Sequence, residues 1–184
     1  MTQRASDTPT LQQRMALMNG WKTVVIIQAP QQVVWEQVTD FATYPDWNPF
    51  VLKTSAQFEV GKPIRFLEDL KQFGQPWITA RFLAIDPPHG FVWKGHFVAP
   101  FLFTVRHTFK FEAISNTQTR FSQTHENFGL LISFLAWRGI YWVSHQGYLD
   151  FDQALKARCE LETSHRTSTR SKLSESDTLA SPWL

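Results

Sequence analysis

Two histidines, His107 and His125, are the residues of this 184-residue chain most able to do chemistry. His107 stands in the run FTVRHTFKF, where Phe103, Val105, His107, Phe109 and Phe111 alternate with Thr104, Arg106, Thr108 and Lys110. Alternation with a period of two marks a strand with one apolar and one wet face, and it sets an imidazole among the apolar residues. A turn at residues 115–117 would pair this run with residues 118–128. His107 would then lie opposite about Thr124, one step from His125, with Gln123 nearby. Two imidazoles and an amide in an apolar wall can hold a ligand hydroxyl or carbonyl. They can serve as general acid and base once a substrate is placed, or they can satisfy one another as core polar groups. A zinc site would need a third ligand, and His96 has the opposite strand parity from Phe91, Trp93 and Phe97, so it is expected to face water. The chain has no Ser/His/Asp arrangement, CxxC, HExxH or phosphate-cradling glycine loop, and no metal or organic cofactor is called for.

Composition narrows the classes further. The formal net charge of +2 is too small and too evenly spread for a nucleic-acid partner. The single cysteine, Cys159, rules out an internal disulfide and suits a reducing compartment. No secretory signal is recognisable in residues 1–20, so a cytoplasmic location is expected. Aromatic residues are abundant, with 16 Phe, 8 Trp and 3 Tyr, which points to an aromatic-lined interior or a well-filled core.

The elements that must position these groups can be read from spacing. Ser144, Tyr148, Phe151, Leu155 and Cys159 recur at three and four residues, one stripe of a helix over residues 144–162. Leu149 and Leu161 miss that stripe, and Asp152 can pair with Lys156 at i,i+4. Upstream, residues 21–29 (WKTVVIIQA) read as a buried strand, and residues 31–41 as a helix with Pro30 at its first turn. The prolines of YPDWNPF (residues 44–50) restrict it to a corner or a single helical turn, with Tyr44, Trp47 and Phe50 either pinning that corner or bordering a cavity mouth. Strands are expected at residues 51–58, 62–69, 77–85, 91–97, 101–114 and 118–128. A run of strands followed by one long helix indicates an α+β layout in which a curved antiparallel sheet wraps the helix. The domain spans residues 21–162. Residues 1–20 are an N-terminal extension with a short helix from Thr10, and the Ser/Thr-rich residues 163–184 are expected to be a disordered tail.

Residues 128–143 (FGLLISFLAWRGIYWV) are almost wholly apolar but fall short of the roughly 18 residues a spanning helix needs. They read as a buried loop leading into the final helix, or as a lid able to touch a membrane surface transiently through Phe134, Trp137 and Trp142.

The chain resembles the START/Bet v 1-like superfamily, also called SRPBCC, and within it the small polyketide cyclase/dehydrase-like proteins. The resemblance is carried by IIQAPQQVVWEQVTDFATYPDWNPF (residues 26–50), DPPHGFVWKG (86–95), HTFKFE (107–112), TRF (119–121) and GYLDFDQALKARCE (147–160). It implies the helix-grip fold, a seven-stranded antiparallel sheet around a C-terminal helix with a hydrophobic cavity between them. Relatives usually carry a glutamate four residues after the phenylalanine of the last strand, here Phe121 of TRF. Here that position is His125 with Glu126 following, so either the register differs by one residue or the cavity's polar group is replaced. The expected function is binding or transport of a hydrophobic small molecule, a lipid, polyketide or aromatic metabolite. The alternatives are a polyketide cyclase/dehydratase in the same cavity, with His107 and His125 as candidates for catalysis, and a peripheral lipid carrier. Cavity-lining candidates from the strands are Phe66, Phe82, Phe91, Trp93, Phe103, Val105, His107, Phe109, Gln123 and His125. Trp142, Tyr148 and Phe151 are the candidates from the helical end.

Overall fold

A computed structural model describes residues 8–97 and 99–179, with side chains to Arg166; the first seven residues of the extension and residues 180–184 of the expected tail lie outside the described residues. A short helix α1 (Leu11–Ala16) opens with a capping box, in which Thr10 and Gln13 bond reciprocally. Strand β1 (Gly20–Ile27) and helix α2 (Gln31–Thr39) follow. A 3-10 turn at Phe41–Thr43 then leads to the single turn α3 (Tyr44–Trp47), as the prolines require. Asn48 fixes the corner: its Oδ1 accepts from the backbone N–H of Phe50 and of Val51, both at 2.9 Å.

Six strands come next: β2 (Val51–Ala56), β3 (Pro63–Glu68), β4 (Trp77–Asp86), β5 (Gly90–His96), β6 (Thr104–Ser115) and β7 (Gln118–Phe128). They form one antiparallel sheet in the order β1-β7-β6-β5-β4-β3-β2, curled and gripping helix α5 (Ile140–Leu179). Bulges in β2 and β4 add bend and twist. Strand β6 starts later than expected because the residues after Pro100 form a turn, with Leu102 N–H bonded to Ala99 O at 3.0 Å. Residues 128–143 divide into the end of β7, helix α4 (Ile132–Arg138) and the start of α5, broken at Gly139 in the left-handed region (φ +85°).

Helix α5 buries the expected stripe of Ser144, Tyr148, Phe151, Leu155 and Cys159, while Leu149 and Leu161 stay exposed. Two readings change. Asp152 is buried on the inner face, so Lys156 bonds instead to Glu160 (2.6 Å) and to Ile26 O (2.7 Å). The segment after Glu162, expected as a tail, continues α5: no proline or glycine interrupts residues 163–179, and Arg166 bridges Glu162 at 2.6 Å and Glu36 at 3.7 Å. Among the described residues, no helix is long and apolar enough to cross a membrane.

Candidate functional site

Register places the site. Trp21 pairs with His125, His125 with His107, His107 with Trp93 and Trp93 with Phe82, a row of rings crossing five strands on the concave face. His107 thus lies opposite His125 itself rather than Thr124. Trp21 stacks on His125 at 4.0 Å between centroids, and Trp93 stacks on His107 at 5.1 Å. Between this face and α5 lie two cavities. One, of about 90 Å³, is lined by Glu68, Trp93, Phe103, Val105, His125, Tyr141 and Ser144 and opens past Trp77, His96 and Phe97. The other, of about 30 Å³, is enclosed by aromatic rings including Phe66, Phe91, Phe109, Tyr148 and Phe151. Trp93 borders both, and so does the hydrogen bond from Tyr148 OH to Glu68 Oε1 (3.1 Å), whose two partners line one cavity each.

Along the same face, between the sheet and α5, runs a buried polar chain. Asp152 Oδ1 is 2.6 Å from Gln123 Nε2, Gln123 Oε1 is 3.1 Å from His107 Nε2, and the two Nδ1 atoms of His107 and His125 are 3.2 Å apart. His125 Nε2 is 3.1 Å from Asn127 Oδ1, and Asn127 Nδ2 donates to Met18 O at 3.3 Å. Hydrogen counting constrains this chain. Asn127 spends its N–H on Met18, so its oxygen makes His125 Nε2 a donor. A neutral His125 then accepts at Nδ1, His107 donates there and accepts at Nε2, and Gln123 turns its amide nitrogen to His107. The oxygen of Gln123 then faces Asp152, which must carry a proton. With Gln123 in the opposite orientation, the same count leaves the extra proton on the imidazole pair. Either way the chain holds one proton more than an ionised Asp152 beside two neutral rings.

The directions of titration favour the proton on Asp152 over the rings, while the Gln123 amide nitrogen is the atom set against Asp152 and its oxygen the one set against His107. Burial pushes the Asp152 carboxyl up to about 6, partly offset by bonds from Thr23 and Gln123. Thr23 Oγ1 stands beside it without a well-formed bond, and Asp152 Oδ2 is likewise unpartnered. Burial lowers His107 well below the usual imidazole range, reinforced by His125. It lowers His125 to about 3 against the bond from Asn127.

The cavity's own polar group is Glu68. It is buried and its carboxyl is raised to about 7 by burial, with the Tyr148 bond opposing. Tyr141 lines the same cavity, and its buried hydroxyl has no partner. Neither was singled out in the sequence, although Ile64, Phe66 and Glu68 share strand parity and Tyr141 lies three residues before Ser144 of the helical stripe. Asn127 extends the parity of Gln123 and His125 in the same way.

Of the expected lining residues, Trp93, Phe103, Val105 and His125 meet at the larger cavity. Phe66, Phe91, Phe109, Tyr148 and Phe151 meet at the smaller one. Phe82 is fully buried among Phe41, Phe58 and Phe91, and His107 and Gln123 sit in the buried polar chain; these three line neither cavity. Trp142 faces away, into an outer groove of about 390 Å³ with Arg14, Phe50 and Asp150. Of the corner residues, Tyr44 donates its hydroxyl to Val38 O at 2.6 Å and also touches the smaller cavity. Phe50 packs on Tyr148 at 4.9 Å. Glu126 projects outward, 3.9 Å from Arg106, and His96 is exposed as expected. Among the described residues no three His, Cys, Asp or Glu side chains group as metal ligands. Cys159 is buried and its thiol is pushed up to about 12, which makes it unreactive.

A family profile described as "Polyketide cyclase / dehydrase and lipid transport" matches residues 21–138, more than half of the chain. The chain belongs to that family. Solved structures of the same fold include the Zhui aromatase/cyclase from Streptomyces sp. R1128 (TM-score 0.65, 19% identity, covering 77% of this chain and 93% of that one). A START superfamily protein from Mycobacterium smegmatis superposes with TM-score 0.60 at 15% identity over 78% of this chain and 98% of that one. The di-domain ARO/CYC StfQ of the steffimycin biosynthetic pathway gives TM-score 0.62 at 11% identity, covering 79% of this chain and 51% of that one. At such identities the likeness is one of fold. No curated protein sequence matches the chain.

Proposed function

We propose that this chain binds a hydrophobic small molecule with a hydrogen-bonding end, received in the cavity between the sheet and α5. The observation that carries the reading is an apolar cavity ending in two buried polar groups, the Glu68 carboxyl and the unpartnered Tyr141 hydroxyl. A lipid, polyketide or aromatic metabolite would enter past Trp77, His96 and Phe97 and meet those groups at its far end. The histidines are poor candidates for acid–base work, because all four of their ring nitrogens already have protein partners. Polyketide cyclase/dehydratase activity is favoured by one observation: Glu68 lines the cavity with a carboxyl raised to about 7, where it can exchange a proton with a bound molecule near neutral pH.

An environment-sensitive apolar dye titrated into the folded protein should bind at a single site, be displaced by ring-sized alcohols or phenols, and be lost in Val105→Glu, which puts a charge in the wall. A folded protein that binds no apolar probe would sink the binding reading. If Glu68→Gln keeps the affinity for a molecule but abolishes its turnover, the chain is an enzyme.

A further inference from the structure

Beside the cavity mouth the surface becomes apolar. Leu130 is 76% exposed, Phe101 65%, Phe97 56%, Trp137 55% and Phe134 52%. They belong to two turns and one short helix that are tied together. Leu130 N–H bonds to Phe101 O and Leu131 N–H to Leu102 O, both at 3.0 Å, while the rings of Phe134 and Trp137 stand 6.0 Å apart on α4. The arrangement is preformed. Gly129 holds φ +120° with Leu102 O 2.5 Å from where a Cβ would stand, so no other residue fits the turn. Large exposed apolar patches on a globular protein mark interaction surfaces.

Charge says what kind of surface meets it. There is no Asp or Glu between Asp86 and Glu112, none between Glu126 and Asp150, and none in residues 8–20, which carry α1. Two arginines border the patch: Arg14 of α1 donates to Trp137 O at 3.3 Å, and Arg138 ends α4.

We propose that the turns at residues 99–103 and 128–131, together with α4, dock onto an anionic lipid surface, with Phe101, Leu130, Phe134 and Trp137 entering the headgroup boundary and Arg14 and Arg138 over the phosphates. Helix α4 is far too short to span, which fits a helix lying in the interface plane. A second copy of the chain is a poor occupant, since two arginine-bordered, acid-free faces repel. The cavity opens at this face, because Phe97 and Phe103 line it, so an apolar molecule could pass between lipid and cavity without crossing open water. The docking itself is independent of what the cavity holds.

The test uses the full chain with extruded vesicles of phosphatidylcholine alone or mixed with phosphatidylglycerol, read by co-sedimentation. Wild type should bind the anionic vesicles, weaken as salt is raised, and bind neutral ones poorly. Phe134→Ser/Trp137→Ser should lower partitioning at least tenfold with an unchanged melting temperature, and Leu130→Ser on the neighbouring turn should act in the same direction. Arg138→Gln should cost about fivefold on anionic vesicles, the worth of one basic residue near such a surface, and nothing on neutral ones. The proposal is overturned if wild type ignores anionic vesicles, or if the serine variants bind as well as wild type. It is equally overturned if the serine variants abolish a concentration-dependent dimer, since the patch is then covered by a second copy.

Discussion

Glu68→Gln tests the electrostatics of the cavity directly. Burial raises the Glu68 carboxyl from its ordinary 4.5 to about 7, so between those values the folded chain holds a proton that the unfolded chain has released. A raised carboxyl contributes stability that is full below 4.5 and is lost as pH rises through about 7. At 1.36 kcal/mol per pH unit over that interval, the loss is about 3 kcal/mol. For a domain of this size that corresponds to about 6–12 °C in melting temperature. Glutamine is neutral at every pH, nearly the same size, and keeps an oxygen to accept from Tyr148 OH. The two proteins should therefore melt together below pH 4.5 and diverge above it, the variant becoming the more stable by a margin that is complete at about pH 7. Other buried groups titrate too. Asp152, raised to about 6, loses stability in the same direction, whereas His107 and His125, lowered from 6.5, lose it as pH falls. These are common to both proteins, so the difference between their curves isolates Glu68. Thermal denaturation followed by circular dichroism across this range is the assay. A difference that stays flat with pH would refute the placement of an uncompensated carboxyl in an apolar cavity.

Three further outcomes follow from the same geometry. Asp152→Asn should largely preserve stability, because its amide oxygen can still accept from Gln123 Nε2, whereas Asp152→Leu should cost about 1–3 kcal/mol by leaving that buried donor unpaired; equal denaturation midpoints for the two variants would show that the bond carries no stability. Gly147→Ala should destabilise by about 1 kcal/mol or more in a urea titration despite alanine's better helix propensity, since its Cβ would stand 2.1 Å from the buried Phe50 ring. Trp93→Leu should join the two cavities and tighten binding of a bulkier apolar dye, at a cost below the roughly 3–5 kcal/mol of a full truncation to alanine; an unchanged dye titration would show that Trp93 is no partition.

The sheet and the helical stripe were legible because their signals are periodic and local. Alternation from Phe103 to Phe111 placed His107 inward, and the spacing from Ser144 to Cys159 placed α5 against the sheet. Pairing across strands was legible only to within one residue, because turn geometry sets it: the sequence suggested Thr124 opposite His107, and the ladder brings His125 there. The polar side chains that matter most were hidden by their type. Glu68 and Asp152 occupy inward positions by strand parity and helical spacing, yet charged residues are seldom buried, so Asp152 was read as a partner for Lys156 and Glu68 was passed over. What reverses that prior is invisible locally: a tyrosine 80 residues away for Glu68 and a glutamine 29 residues away for Asp152. Trp142 went the other way: the buried stripe of α5 runs back from Ser144 to Tyr141, which leaves Trp142 on the outer face.

The division of the interior sets what such a molecule can be. An apolar cavity of about 150 Å³ accommodates benzene, and the larger of the two here, at about 90 Å³, does not reach that size. A lipid tail or a fused-ring polyketide can therefore enter only in part, or only if the wall between the cavities gives way. That wall has one apolar and one polar component. Trp93 is held by Phe66 and His107, with centroids at 5.0 and 5.1 Å, and the Tyr148–Glu68 bond closes the remaining gap. On the binding proposed above, a ligand hydroxyl bonded to Glu68 would compete with Tyr148 for the carboxyl and so loosen the polar half of the wall. Coupling of this kind would make the polar end of the ligand, rather than its apolar bulk, the feature that admits it to the deeper space.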